Sequence, residues 1–159
     1  DDFVKQLSEL HMDNLKQRVE DIGVVYEQFG KTPIASRVFS FLLLAEPSYK
    51  TFDEIREFLN ASKSAVSNAI NGHLQDGTIN YKTFSGDRKR YFYLDLENWK
   101  KRVEEYAKKL YDFNNVMEDV LKHRSNNDIE FNNKLKDVID FQNFLNQKID
   151  EAIIKWKEK

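Results

Sequence analysis

Apolar residues recur every three or four positions over most of this chain, and the period breaks once. Phe3, Leu7 and Leu10, then Leu15, Val19, Ile22, Tyr26 and Phe29 form one stripe, which predicts a helix over 3–29 with a single phase slip. Gly30 ends it. Thr32 and Pro33 read as a helix cap and a proline in the first turn. The helix they open, about 33–46, is apolar on most sides (Ile34, Ala35, Val38, Phe39, Phe41, Leu42, Leu43, Leu44), so neighbours are expected to cover it as the centre of the core. Glu46-Pro47 breaks it.

Thr51-Phe52-Asp53-Glu54 has the spacing of a capping box, with Thr51 as cap and Glu54 three residues on. A short helix follows, with Phe52, Ile55, Phe58 and Leu59 on one face. After a tight turn at 60–62, Ser62 caps a helix over about 63–75, which Gly77 closes. Val66, Ala69, Ile70 and Leu74 are its expected buried side. Ser64, Ser67, Asn68 and Asn71 lie on the other. Here the period changes. Residues 78–84 and 89–94 are rich in strand formers around the turn Ser85-Gly86-Asp87-Arg88, which predicts a β-hairpin.

Helical spacing then returns. Leu96, Trp99, Val103, Tyr106, Leu110, Phe113, Met117 and Val120 form a heptad-like seam over 96–122. Residues 125–128 interrupt it, and a last helix over 129–156 carries Leu135, Val138, Phe141, Leu145, Ile149, Ile153 and Trp156. The expected class is mainly α: a winged helix-turn-helix at 31–95, between an N-terminal helix at 1–30 and C-terminal helices at 96–159. Two helices joined by a tight turn and followed by a hairpin have that layout.

The polar side of the 63–75 helix needs a reason, because Ser and Asn are mediocre helix formers. A helix that enters the DNA major groove supplies one. Small side chains let the backbone approach the base edges, and Asn68 and Asn71 could each bond an adenine edge. Lys63 and the amides around Ser62 and Ser64 suit a phosphate. The hairpin ends in Arg88-Lys89-Arg90, the densest basic cluster. Residues 63–90 carry five basic groups, Lys82 among them, against two acidic ones, in a chain of net charge −2. Lys82, Arg88, Lys89 and Arg90 could thus hold a wing over 78–94 on the DNA backbone or minor groove. The plainer alternatives are a solvated helix face and a charged hairpin edge that resists aggregation.

The stretch Thr51–Asp95 resembles the winged helix of MarR-like regulators, and the preceding FGKTPIASRVFSFLLLAEP resembles their GbsR-type branch. The most specific parts are LNASKSAVS at 59–67 and Gly86-Asp87-Arg88-Lys89. The resemblance covers residues 29–95. It implies a dimeric bacterial or archaeal transcription factor in which Ser64, Ser67 and Asn68 face bases and Arg88 serves the wing. The chain departs from it at Asn71, where such helices often carry a long basic side chain.

Composition narrows the choice. With 25 basic and 27 acidic residues, any nucleic-acid site must be local. No cysteine is present, so neither a disulfide framework nor a thiolate metal site is available. No 18-residue apolar run suggests a membrane span, and Asp1-Asp2-Phe3-Val4-Lys5 lacks the start of a signal peptide, so the expected location is the cytoplasm. His11, His73 and His123 lack metal-ligand spacing. Asp53-Glu54 and Glu104-Glu105 read as cap and solvated charges, so no enzyme, metal or cofactor is expected. The long stripes exceed what a 65-residue domain could cover, which favours a homodimer with Trp99, Tyr106, Phe113, Phe141 and Trp156 buried between helices or chains. Tyr26, Trp99, Tyr106 and Phe113 could line a pocket for a small-molecule effector of unknown identity. The competing functional reading is a winged-helix protein-interaction module that binds no DNA.

Overall fold

The computed structural model describes residues 2–159; Asp1, in the expected N-terminal helix region, lies outside them. The order is α1 (Asp2–Glu27), α2 (Pro33–Leu44), β1 (Lys50–Thr51), α3 (Phe52–Leu59), α4 (Lys63–Gln75), β2 (Ile79–Lys82), β3 (Tyr91–Leu94), α5 (Leu96–His123) and α6 (Ile129–Lys157). The chain forms two compact units, one ending at Asn98 and the other beginning at Trp99.

The first unit closes around an apolar core of Val19, Val38, Phe41, Leu42, Ile55, Val66, Ile70, Ile79 and Phe92. The caps form as their residue types dictate. Thr32 Oγ1 accepts from Ala35 N, and Thr51 and Glu54 complete both bonds of the capping box. Asn60 takes a left-handed conformation (φ 47°) to end α3, and Ser62 Oγ accepts from Ala65 N to begin α4. Thr78 N donates to His73 O at 3.0 Å and Gly77 N to Leu74 O at 3.3 Å, closing α4 as a glycine stop (Gly77 φ 75°).

Three expectations need correction. α2 ends at Leu44, not at residue 46, and it is not covered all round, because Leu43 is about half exposed while Ser36 and Ser40 are fully buried. Ser40 satisfies its hydroxyl by donating to Ser36 O at 2.8 Å, whereas the buried Ser36 hydroxyl has no hydrogen-bond partner among the described residues. The strands are shorter than 78–84 and 89–94, because cross-strand pairing ends at Lys82 opposite Tyr91. A third strand, β1, joins them in the antiparallel order β1-β3-β2; with two residues it has no periodicity to read.

The second unit is a helical hairpin whose covered face keeps Leu110, Met117, Leu135, Ile149 and Ile153 of the expected stripes but not their aromatic members. On α5 the covered positions are Ala107, Leu110, Asn114, Met117 and Leu121; on α6 they are Leu135, Ile139, Gln142, Asn146, Ile149 and Ile153. Asn114 Nδ2 donates to Asn143 Oδ1 at 2.7 Å, and Asn143 Nδ2 donates to Glu118 Oε1 at 2.8 Å. Trp99, Tyr106, Phe113, Phe141 and Trp156, expected to be buried between helices or chains, are all about half exposed or more within the single chain. The face is turned by less than one position, so Tyr106, Phe113 and Phe141 give way to their neighbours Ala107, Asn114 and Gln142 while Leu110 and Met117 stay covered. Paired amides can occupy an inner seam, and that leaves the larger apolar stripe outside.

Candidate nucleic-acid interface

The N-terminal half of α1 is exposed, while Val19, Gly23 and Tyr26 pack it onto α2. Arg37 fixes that contact. Its guanidinium pairs with Glu20 and Glu27 and lies over Gly23, where an added Cβ would come within 3.0 Å of it. The bond to Arg37 holds the Glu20 carboxyl below its usual pKa. α2 in turn supports α4: the buried His73 ring has Nε2 2.7 Å from Ala35 O. His73 is therefore a core residue. The spacing Val66, Ala69, Ile70, His73 already carried that signal, since it continues the buried stripe.

Supported in this way, α4 presents the expected polar side. Ser62, Lys63, Ser64, Asn68 and Asn71 are exposed, and Ser67 is half-buried. The Ser62 hydroxyl is taken by its capping bond and lies 3.3 Å from Ser64 Oγ. Ser67 and Asn71 line a cleft of about 400 Å³ together with Arg88, Lys89 and Arg90 of the wing, over a floor that includes Ile70 and Phe92. Asp53, in the first turn of α3, also lines this cleft. A second groove, of about 420 Å³, runs along the other side of α4 between Thr32, Ile34, Ala65, Asn68 and Gly72. The helix thus stands between two grooves, with Ser67 and Asn71 on the wing side and Asn68 on the other.

The wing residues divide. The Arg90 guanidinium stacks over the Tyr81 ring, 4.6 Å from its centroid, on the same sheet face as Phe92. Arg88 and Lys89 share its cleft. Lys82 does not: it sits opposite Tyr91 on the other face, with Nζ 3.9 Å from the centre of the Tyr49 ring. Sequence spacing grouped Lys82 with the other basic residues, and the alternation of the strand separates it. Asp87 is held by Tyr91, whose hydroxyl donates to it at 2.5 Å, and by Lys89 N at 2.9 Å; these bonds keep its carboxyl below the usual range. At the far end of α4, Asp76 pairs with Lys31 at 2.5 Å and accepts from Thr78 N at 2.9 Å. Burial pushes its carboxyl up, and the bonds to Lys31 and Thr78 outweigh that and bring it below the usual value.

Two helices at a tight turn, a three-stranded sheet with a basic ribbon and helical flanks define a winged helix-turn-helix fold. The same fold is found in a crystal structure of a transcriptional regulator, which superimposes with a TM-score of 0.70 over 92% of this chain and 99% of that one at 20% identity. In sequence, the chain is 30% identical over 81 residues to the HTH-type transcriptional regulator MmpR5 of Mycobacterium tuberculosis. That match spans 51% of this chain and about half (49%) of the relative's length. No protein-family model matches the chain. Among the described residues, no helix is long and apolar enough to cross a membrane, and no group of acidic, His or Cys side chains could hold a metal.

Proposed function

We propose that this protein is a sequence-specific, double-stranded-DNA-binding transcriptional regulator of the MarR-like kind, GbsR-type branch, acting in the cytoplasm as a homodimer. The observation that carries the reading is the single cleft lined both by Ser67 and Asn71 of α4 and by Arg88, Lys89 and Arg90 of the wing. Base-reading amides beside phosphate-binding cations are what a duplex requires of a protein surface. Helix α4 enters the major groove with Ser64, Ser67, Asn68 and Asn71 toward base edges. Lys63 and the free amides that follow Ser62 take a phosphate, and Arg88, Lys89 and Arg90 hold the backbone or adjacent minor groove. A protein-interaction module would not need the polar helix face to run into the basic ribbon, and this continuity favours DNA.

The dimer reading draws on the apolar side chains that the chain leaves outside. Phe3, Leu7 and Leu10 of α1 are exposed, as are Trp99, Tyr106, Phe113, Phe141 and Phe144 of the helical hairpin. Surfaces of this kind mark association sites, and two copies on a two-fold axis read half-sites about 34 Å apart. A small-molecule effector belongs to the same reading. Tyr26, one of its expected lining residues, is stacked on Phe39 with ring centroids 3.9 Å apart, and Trp99, Tyr106 and Phe113 are exposed.

The test is a mobility-shift titration at several salt concentrations on DNA from upstream of the protein's own gene, with a solution mass measurement. The expected result is a complex that resists unrelated competitor DNA and weakens linearly in log K against log salt, formed by a species of twice the chain mass. No complex at low salt, or one lost equally to any competitor, overturns the reading.

A further inference from the structure

The outer face of the sheet holds a group of residues that the proposed DNA contact does not use. Side chains alternate along a strand, so Lys82, Tyr91 and Tyr93 share this face while Tyr81 and Phe92 take the inner one. Tyr49 and Phe84 close around them. The Tyr49, Phe84 and Tyr91 rings lie 4.9–5.6 Å apart, two of the pairs edge-on. Lys82 Nζ sits among the rings, 3.9 Å from the centre of Tyr49, 5.5 Å from Phe84 and 5.8 Å from Tyr93. All three distances are within the range at which an ammonium is attracted to a ring face.

The tip needs such support. No cross-strand pair lies beyond Lys82 and Tyr91, so the eight residues 83–90 have no ladder to shape them. Asp87 N donates to Phe84 O at 3.1 Å, and the Tyr91 hydroxyl donates to Asp87. Phe84 and Tyr91 therefore belong both to the tip and to the aromatic group around Lys82.

We infer that Lys82 is a positioning residue: its ammonium joins Tyr49, next to β1, to the aromatic side chains of the ribbon, and this brace holds the wing tip so that Arg88 and Arg90 stay over the cleft. Lys82 itself contacts no phosphate. Arg90, stacked on Tyr81, is kept on the inner face by a second cation–ring contact. The inference rests on the DNA-binding reading for its consequence, though not for the brace itself.

Two measurements on the full chain test it. In limited tryptic digestion without DNA, cleavage after Arg88, Lys89 and Arg90 is timed by mass spectrometry against cleavage after Arg124, in the exposed loop between α5 and α6. Lys82→Met and Tyr49→Leu are each expected to speed tip cleavage about threefold or more relative to that reference. The double variant should be no faster than the quicker single, and Lys82→Arg should match wild type. An unchanged tip rate in Lys82→Met, or effects that multiply in the double variant, overturns the brace. In the salt titration, Lys82→Met should weaken DNA binding about threefold with no change in the slope of log K against log salt. A slope reduced by about one would make Lys82 a phosphate contact and overturn the inference. If wild type binds no DNA, the regulator reading fails, and the digestion still decides whether the brace exists.

Discussion

The unit ending at Asn98 and the unit beginning at Trp99 solve the burial problem in opposite ways. In the first, large apolar side chains fill the core: Ile55, Val38 and Val66 are fully buried, and the buried Ser40 hydroxyl donates to Ser36 O. In the second, two of the three buried residues are asparagines, Asn114 and Asn146, while Phe113, Phe141 and Phe144 are about 60% exposed. The first unit closes a core of its own, although Phe3, Leu7 and Leu10 of α1 stay exposed. The hairpin has a polar seam and an apolar exterior, an arrangement that gains little from its own closure and much from being covered. The comparison teaches where mutations should act: on folding in the core of the first unit, on association at the exposed apolar faces of the hairpin.

The largest effect belongs to the self-contained core. Ile55→Ala leaves a cavity among Phe41, Val66 and their neighbours, and is expected to lower unfolding free energy by about 2–5 kcal/mol in urea titration. A smaller loss would mean that the core collapses around the site. In the hairpin the same kind of truncation should behave differently. Phe113→Ser with Phe141→Ser should weaken self-association about thirtyfold or more by sedimentation, because exposed aromatics dominate interfaces, with helical content retained. Loss of helicity without a change in mass would reverse the comparison.

Effects on the reading surface come next. Asn68→Ala should cost about 1–3 kcal/mol of affinity at one operator position and leave non-specific binding intact. Arg88→Ala should weaken binding to every sequence about tenfold at moderate salt and reduce the salt slope by about one. Equal losses on all sequences for both variants would contradict these roles.

The smallest effect is at Asp76. Its folded-state pKa lies below the ordinary value near 3.8, so its contribution is present above that value and disappears as the pH falls through the folded pKa. Asp76→Asn should cost about 1 kcal/mol at pH 7, because both partners remain partly in water. Near pH 2 the variant and wild type should converge. A gap that persists in acid would assign the loss to packing instead.

Much of the first unit was legible in the chain. Thr32, Thr51 and Ser62 each cap the helix expected of them, because a cap is a bond between residues three apart and needs no tertiary information. The 63–75 helix and its polar side could be read for the same reason. The buried place of His73 follows from its phase, since it continues the stripe of Val66, Ala69 and Ile70. The two-residue strand β1 left no pattern, and the wing's basic residues looked alike until the pleat assigned Lys82 and Arg90 to opposite faces.

Local order therefore belongs to the sequence by itself: where helices start and stop, which helix carries small polar residues, and where the one basic ribbon lies. These depend on contacts within a turn or a strand. The tertiary structure alone decided which of two adjacent stripes α5 and α6 close upon, and that Ser67 and Asn71 share a cleft with Arg88–Arg90 while Lys82 does not. Those outcomes depend on rotation about a helix axis and on sheet register, where a shift of one residue exchanges inside for outside.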